Sequence, residues 1–139
     1  MLIPKKQKYR KVHRSRSALL GKAKGGDTIS FGSIALKAIT PAEITSRQIE
    51  AARRVISRYT KRGGRVWVRI FPHQPMTKKA AETRMGSGKG SVDHYVAAIK
   101  PGTILFEMDG IPENESREAL HLSGYKLPMK TRVITKADR

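Results

Sequence analysis

The sequence predicts an α+β fold, with helices and strands in mixed order rather than in repeating strand–helix units. Three observations support this prediction. Short runs rich in β-branched residues are separated by Gly and Pro turns, one amphipathic helix interrupts them early, and a second helix follows late. The 139 residues suffice for one domain of ordinary size and argue against two.

Residues 1–26 form a basic segment with nine Lys and Arg residues and no acid. Few large apolar side chains lie between the charges, so the segment cannot bury enough surface to offset its ordering entropy. We expect an extended arm that becomes ordered on a partner, followed by a single domain over residues 27–139. The candidate contact residues of the arm are Lys5, Lys6, Lys8, Arg10, Lys11, Arg14 and Arg16.

The domain opens with two short β-type runs, residues 27–31 and 34–39, on either side of Gly32-Ser33. This spacing predicts a hairpin. Pro41 then interrupts the pattern, and Thr45 or Ser46 is a suitable helix N-cap. A helix is predicted over residues 46–62, ended by the following glycine pair.

That helix is amphipathic, with an apolar arc and a nearly opposite cationic arc. Glu50 is its only acid, whereas a solvated helix face normally mixes both signs. We interpret the cationic arc as a face for a phosphate backbone, and a merely solvated face is the alternative. The apolar arc holds Ile49, Ala52, Val55, Ile56 and Tyr59, and the cationic arc holds Arg47, Arg54, Arg58, Lys61 and Arg62.

Along residues 65–71, small apolar side chains alternate with larger or charged ones, which predicts a strand. We interpret Trp67 on this strand as a packing residue rather than as a platform for base stacking. Residues 72–91 contain two prolines and three glycines and predict a long loop of functional type, with a possible helical turn near residues 79–83. We expect a flexible cationic tip suited to an RNA crevice, or else a plain mobile loop. The candidate residues are Lys78, Lys79, Arg84, Met85, Gly86, Gly88, Lys89 and Gly90.

The remaining elements are two strands over residues 92–99 and 103–108, joined at Pro101-Gly102. A helix is predicted over residues 112–123, with acids in its first turn and Gly124 at its end. A last strand covers residues 128–135.

Charge indicates the class of partner. The chain has a net charge of +18 and a pI near 10.8, which points first to nucleic acid and second to an anionic membrane surface. The excess lies in the first hundred residues, since residues 101–139 carry six basic and six acidic groups. No apolar run is long enough to cross a membrane, and the N-terminus does not read as a secretory signal.

Catalytic and metal sites are not expected. The loop fails the phosphate-loop pattern because Thr83 stands where the first glycine should be, and Gly90 stands where a hydroxyl residue should be. The chain has no cysteine, and its four histidines lack ligand spacing. His94 follows Asp93, which could suggest a base and its orienting acid, but adjacent strand residues point to opposite faces, so the sequence favours this pair only weakly. No cofactor is expected either.

Taken together, several blocks resemble the bacterial large-subunit ribosomal protein sixteen family. The similarity runs from the first residues to about residue 135, and the order of the blocks makes it specific. The blocks read MLIPKKQKYRKVHR, ISFGSIALKA, RQIEAARR, VWVRIFP, RMGSGKG and FEMDGIP.

The resemblance implies a hammerhead-like α+β domain in the large ribosomal subunit, in the cytoplasm or in an organelle. It implies that the arm and helix bind ribosomal RNA, and that the arm and the 78–90 loop extend toward tRNA beside the aminoacyl-tRNA site. Neighbouring ribosomal proteins are implied partners, and neither a membrane nor a homo-oligomer is expected. A sequence-independent nucleic-acid-packaging protein is the alternative that charge alone permits, and a small phosphate-binding enzyme is a weaker one.

Overall fold

A computed structural model describes residues 1–61 and 63–137, so Arg62 and the last two residues lie outside the described residues, as does the side chain of Arg16. The arm contains one 3-10 turn, Arg16–Leu19. The strands are β1 (Ile34–Ala38), β2 (Ala42–Thr45), β3 (Arg65–Val68), β4 (Gln74–Lys78), β5 (Ser91–Ile99), β6 (Ile104–Asp109) and β7 (Thr131–Thr135). The helices are α1 (Ser46–Tyr59) and α2 (Glu113–Gly124).

The described strands form two antiparallel sheets, which confirms the predicted α+β class. The larger sheet has the order β3-β6-β1-β7, and the smaller one has the order β2-β5-β4. Both helices pack on the inner face of the larger sheet, and Tyr59 Oη donates to Glu118 Oε2 at 2.6 Å to tie α1 to α2. The sheet pairing therefore gives the helices a rigid support.

The main core lies between the helices and the two sheets. Ile49 and Ile56 of α1 meet Leu120 of α2 and Phe106 of β6 there, and all four side chains are fully buried. Burial of side chains of this size contributes about 1.5–3 kcal/mol each. The apolar arc predicted for α1 therefore faces this core and fixes the rotation of the helix.

The predicted hairpin over residues 27–39 is wrong. Only its second half forms a strand, and β1 pairs with β6 and β7 rather than with residues 27–31. Residues 27–32 instead cross the outer face of the larger sheet, where the Glu107 carboxylate accepts hydrogen bonds from three of their backbone N–H groups. A buried acid on a distant strand thus satisfies the donors that a hairpin would have used.

The loop predicted over residues 72–91 is too long. Residues 74–78 form β4, which pairs with β5 and leaves an irregular connection only over residues 79–90. Pro75 hid this strand from the sequence pattern, but β4 lies at a sheet edge, where a proline is tolerated. The turn suggested near residues 79–83 is present as a bond from Thr83 N to Ala80 O at 3.1 Å.

Other boundaries differ less. The strand predicted over residues 65–71 ends at Val68, and α1 ends at Tyr59, before the glycine pair. The two strands joined at Pro101-Gly102 belong to different sheets, with Gly102 at φ +96° in the turn between them. The predictions for the second helix and the last strand agree with α2 and β7 within three residues.

Candidate nucleic-acid interface

Helix α1 is positioned by a capping box at its start. The Thr45 side chain accepts from Gln48 N at 3.3 Å, and Gln48 Oε1 accepts from Thr45 N at 3.0 Å. This confirms the predicted cap. With the start of the helix fixed and its apolar side buried, the opposite side is held toward solvent.

A cationic groove lies along that outer side of α1. It has a volume of about 680 Å³, and its lining consists of four cationic side chains and one hydroxyl: Arg53, Arg54, Ser57, Arg58 and Lys61. The predicted residues Arg47, Arg54, Arg58 and Lys61 are all exposed. Cations near a helix C-terminus are also favoured by the helix dipole.

Glu50 is the single acid of the helix, and two arginines hold it. Arg53 donates to both of its carboxylate oxygens, at 2.9 and 2.7 Å, and Arg54 Nε donates at 3.2 Å. The hydrogen bonds from Arg53 are the main reason that the pKa of Glu50 is lowered to about 2. Desolvation opposes them, because burial raises this pKa. At neutral pH the carboxylate is therefore charged and competes with any phosphate for these two guanidinium groups.

Replacing Glu50 with glutamine is expected to tighten RNA binding roughly two- to fivefold. This change corresponds to the free energy of one surface ion pair. The substitution releases Arg53 and Arg54 for phosphate without removing a cation. Fluorescence anisotropy with a fragment of ribosomal RNA measures the effect, and Glu113→Gln on α2 is the matched control. Weaker binding by the Glu50 variant would contradict a role for the groove in phosphate contact.

The connection between β4 and β5 forms an exposed tip over residues 81–89. Its backbone turns at Gly86, Ser87 and Gly88, all with positive φ, and Lys79 Nζ donates to Gly86 O across its base. Met85 at the tip is 94% exposed. Gly86 and Gly88 adopt these conformations without strain because they lack a Cβ.

The tip and the arm hold each other through two lysines. Lys11 Nζ donates to Lys89 O at 2.9 Å, and Lys89 Nζ donates to Val12 O at 2.6 Å. Lys89, predicted as a loop contact for tRNA, is thus engaged with the arm backbone in this structure. The two segments that sequence analysis treated separately are physically linked.

Further contacts fix the arm along its length. Leu2 packs against the main core, Gln7 Nε2 donates to His73 O at 2.6 Å, and Arg14 pairs with Glu43 at 2.8 Å. Met1 approaches Ser46 at the start of α1, so the arm runs from that helix to the tip. Its other predicted cations, Lys5, Lys6, Lys8 and Arg10, are exposed.

Most of the predicted residues that the structure describes therefore fall into two groups, the α1 groove and the linked arm and tip, and Arg47 lies on α1 outside the groove lining. Among the described residues, hydrogen bonds join the arm to the tip and to the start of α1, whereas none joins the tip to the groove. Arg53 and Ser57, which complete the groove, were not among the residues predicted from the sequence. Arg53 and Ser57 are four residues apart, as Arg54 and Arg58 are, so both pairs follow the same side of the helix. This spacing could have predicted them.

The described residues contain no group of three or more His, Cys, Asp or Glu side chains able to hold a metal ion. Within the same residues, no helix is long and apolar enough to cross a membrane. Asp93 and His94 do not point to opposite faces as expected, because His94 Nδ1 and Asp93 Oδ2 meet at 2.8 Å. A bulge explains this: Met76 pairs with His94 and Thr77 with Val92, so Asp93 is an extra residue turned out of the alternation.

Comparison with known proteins places these features in a family. Residues 4–134 match the model described as ribosomal protein L16p/L10e. The chain is 59% identical to large ribosomal subunit protein uL16c of Trieres chinensis, with 98% of each chain covered. It is 54% identical to large ribosomal subunit protein uL16 of Macrococcus caseolyticus, over 99% of this chain and 94% of the relative. A family match over nearly the whole chain and relatives of this identity show that the chain belongs to the ribosomal protein L16p/L10e family.

Proposed function

We propose that this chain is a structural constituent of the large ribosomal subunit that binds ribosomal RNA and helps to position aminoacyl-tRNA. Its family and the names of its relatives support the ribosomal assignment. The cationic groove on α1 is the observation that carries RNA binding, because it offers four cations and a hydroxyl on a rigidly held helix. On this proposal the protein works inside a ribosome, of the cytoplasm or of an organelle.

Arginine suits the groove chemically. Its guanidinium group can form two parallel hydrogen bonds to one phosphate, whereas a lysine ammonium acts as a point charge. Arg53, Arg54 and Arg58 lie on adjacent turns of one helix, so they can follow a phosphate backbone. Each phosphate neutralised releases counterions, and about eight contacts give a log–log salt slope of roughly −5.6 to −7.

The tip suits a different task. It is exposed along its length and carries Arg84 beside glycines, so it can reach RNA that the folded domain cannot approach. Its link to the arm through Lys11 and Lys89 limits its freedom and holds it in one direction. A held cationic tip can orient an incoming tRNA, and orientation lowers the barrier of a reaction without chemistry by the protein itself.

The test of the tip is Arg84→Gln in reconstituted large subunits. We expect normal incorporation but roughly fivefold weaker binding of aminoacyl-tRNA at about 0.15 M salt, the loss of one phosphate contact. Arg84 is preferred over Lys89 because Lys89 also holds the arm. Filter binding of labelled aminoacyl-tRNA to the subunits measures the change.

Lys130→Gln is the matched control, since it removes one exposed cation next to β7, which belongs to the other sheet from the strands that flank the tip. It should leave tRNA binding unchanged. Equal tRNA affinity for wild-type and Arg84→Gln subunits would contradict a role for this side chain in positioning tRNA. Loss of incorporation by the Arg84 variant would instead assign the tip to ribosomal RNA.

A further inference from the structure

The outer face of the larger sheet carries an exposed pair of aromatic rings. Phe31 is 57% exposed and stacks on half-buried Trp67, with ring centroids 6.1 Å apart and planes 17° from parallel. Both rings line an open concavity of about 580 Å³, a size typical of ligand sites. Its rim includes Arg65 and Asp109. The sequence pattern favoured a packing role for Trp67, but packing alone does not account for the exposure of Phe31.

The fold fixes Phe31 in this exposed position. Its backbone N–H donates to the fully buried Glu107 carboxylate at 2.6 Å, and the N–H groups of Ser30 and Gly32 donate to the same side chain. A Cβ at Gly32 would collide with the backbone of Met108, so only glycine allows this close approach. The ring is therefore preorganised on a rigid support rather than carried by a free loop.

Two arginines and two acids carry the charge of this surface. The Arg69 guanidinium lies 5.1 Å from the centre of the Phe31 ring and also pairs with Glu107, which holds it in place. Arg65 is exposed on the rim, and no ion pair of it is found among the described residues. The Asp109 carboxylate accepts from Ser33 Oγ at 3.0 Å and from Gly110 N at 2.9 Å. Arg65 lies directly opposite Asp109 in the register of β3 and β6, and because these two bonds hold the carboxylate, Arg65 can offer its guanidinium group to a phosphate.

We propose that Phe31 and Trp67 form a stacking shelf for one unpaired nucleobase of an RNA strand, with Arg65 contacting the adjoining phosphate. The inference rests on the proposed function, since it names the ligand class that a second surface of the same RNA-binding protein takes. Flat aromatic faces bind bases of any sequence, and neighbouring cations add attraction to the strand. A duplex does not fit, because its bases are already stacked on each other.

The protein contains its own reporter for this contact. Trp67 is the only tryptophan of the chain, so intrinsic fluorescence reads the shelf directly. The probes are a short oligoadenylate and an abasic RNA strand of the same length and charge. We expect oligoadenylate to quench Trp67 and to bind at least about fivefold more tightly than the abasic strand, the lower limit for stacking of one base.

The variants separate stacking from charge. Phe31→Leu should abolish the preference for oligoadenylate while leaving the affinity for the abasic strand unchanged, and Phe31→Tyr should keep the preference because its ring remains. Tyr125→Leu is the matched control, since Tyr125 is an aromatic residue on the α2 side and 72% exposed. Circular dichroism and thermal unfolding verify that each variant is folded.

Equal affinity of the wild-type protein for the two strands, or an unchanged preference in Phe31→Leu, would overturn the shelf. If that happens while the wild-type chain still enters large subunits, the shelf fails and the proposed function stands. If neither strand binds and the chain also fails to enter large subunits, both fail together.

Discussion

Replacing Arg54, Arg58 and Lys61 with glutamine is expected to weaken binding to ribosomal RNA roughly 100-fold at about 0.15 M salt. All three side chains line the groove on α1 and are exposed. Each lost phosphate contact removes about 0.7–0.9 from the log–log salt slope, so the slope should become shallower by about 2–3. The variant should also fail to enter large subunits. Anisotropy titrations at several salt concentrations measure the RNA affinity and the salt slope, and sedimentation measures entry into the subunits.

A matched variant removes the same charge from residues outside the groove lining. Lys126, Lys130 and Arg132 are exposed near α2 and β7, and their replacement by glutamine also lowers the net charge by three. This variant should bind RNA within about threefold of wild type, because its cations do not lie on the proposed interface. Equal losses in the two triple variants would show that total charge, rather than the groove, governs binding.

Replacing Glu107 with alanine is expected to lower the free energy of unfolding by about 3–5 kcal/mol, as for other broken buried ion pairs. Glu107 is fully buried, accepts three backbone hydrogen bonds from residues 30–32 and pairs with Arg69. Its loss leaves those donors and a guanidinium group without their acceptor. Urea unfolding measures the change. Glu113→Gln, at an exposed position of α2, should change stability by less than about 1 kcal/mol.

The same site predicts how stability depends on pH. Desolvation raises the pKa of Glu107, but the three backbone N–H groups and Arg69 outweigh it and hold the pKa below the ordinary value of 4.5. A carboxylate with a lowered pKa stabilises the fold fully above that ordinary value, and this stabilisation is lost as the pH falls through the folded-state pKa. The melting temperature of the wild type should therefore fall more steeply below pH 4.5 than that of Glu107→Ala.

Local patterns in the sequence sufficed for the elements that depend on them. Thr45 and the spacing of Ile49, Ala52 and Ile56 predicted both the start of α1 and its buried face. The same helical periodicity predicted that the arginines opposite this buried face point outward, so most of the groove lining was predictable. Arg53 was missed because it lies at the margin of the cationic arc, where Glu50 draws its side chain toward the groove.

What could not be predicted depends on partners distant in sequence. Residues 27–31 have strand-like composition, yet Glu107, more than seventy positions away, takes their backbone donors. The aromatic shelf arises in the same way, because Phe31 reaches Trp67 only after that segment crosses the sheet. The link between Lys11 and Lys89 likewise joins segments 78 residues apart. The local hydrophobic periodicity of the sequence does not indicate contacts between such distant residues.

Sedimentation of the native chain with large ribosomal subunits tests the central claim most directly. The account predicts that the chain stays with the subunits at about 0.1 M salt, leaves them at about 1 M salt, and is not displaced at low salt by an equal mass of duplex DNA. A chain that sediments free of the subunits at low salt, or that duplex DNA removes as readily as ribosomal RNA does, would contradict it.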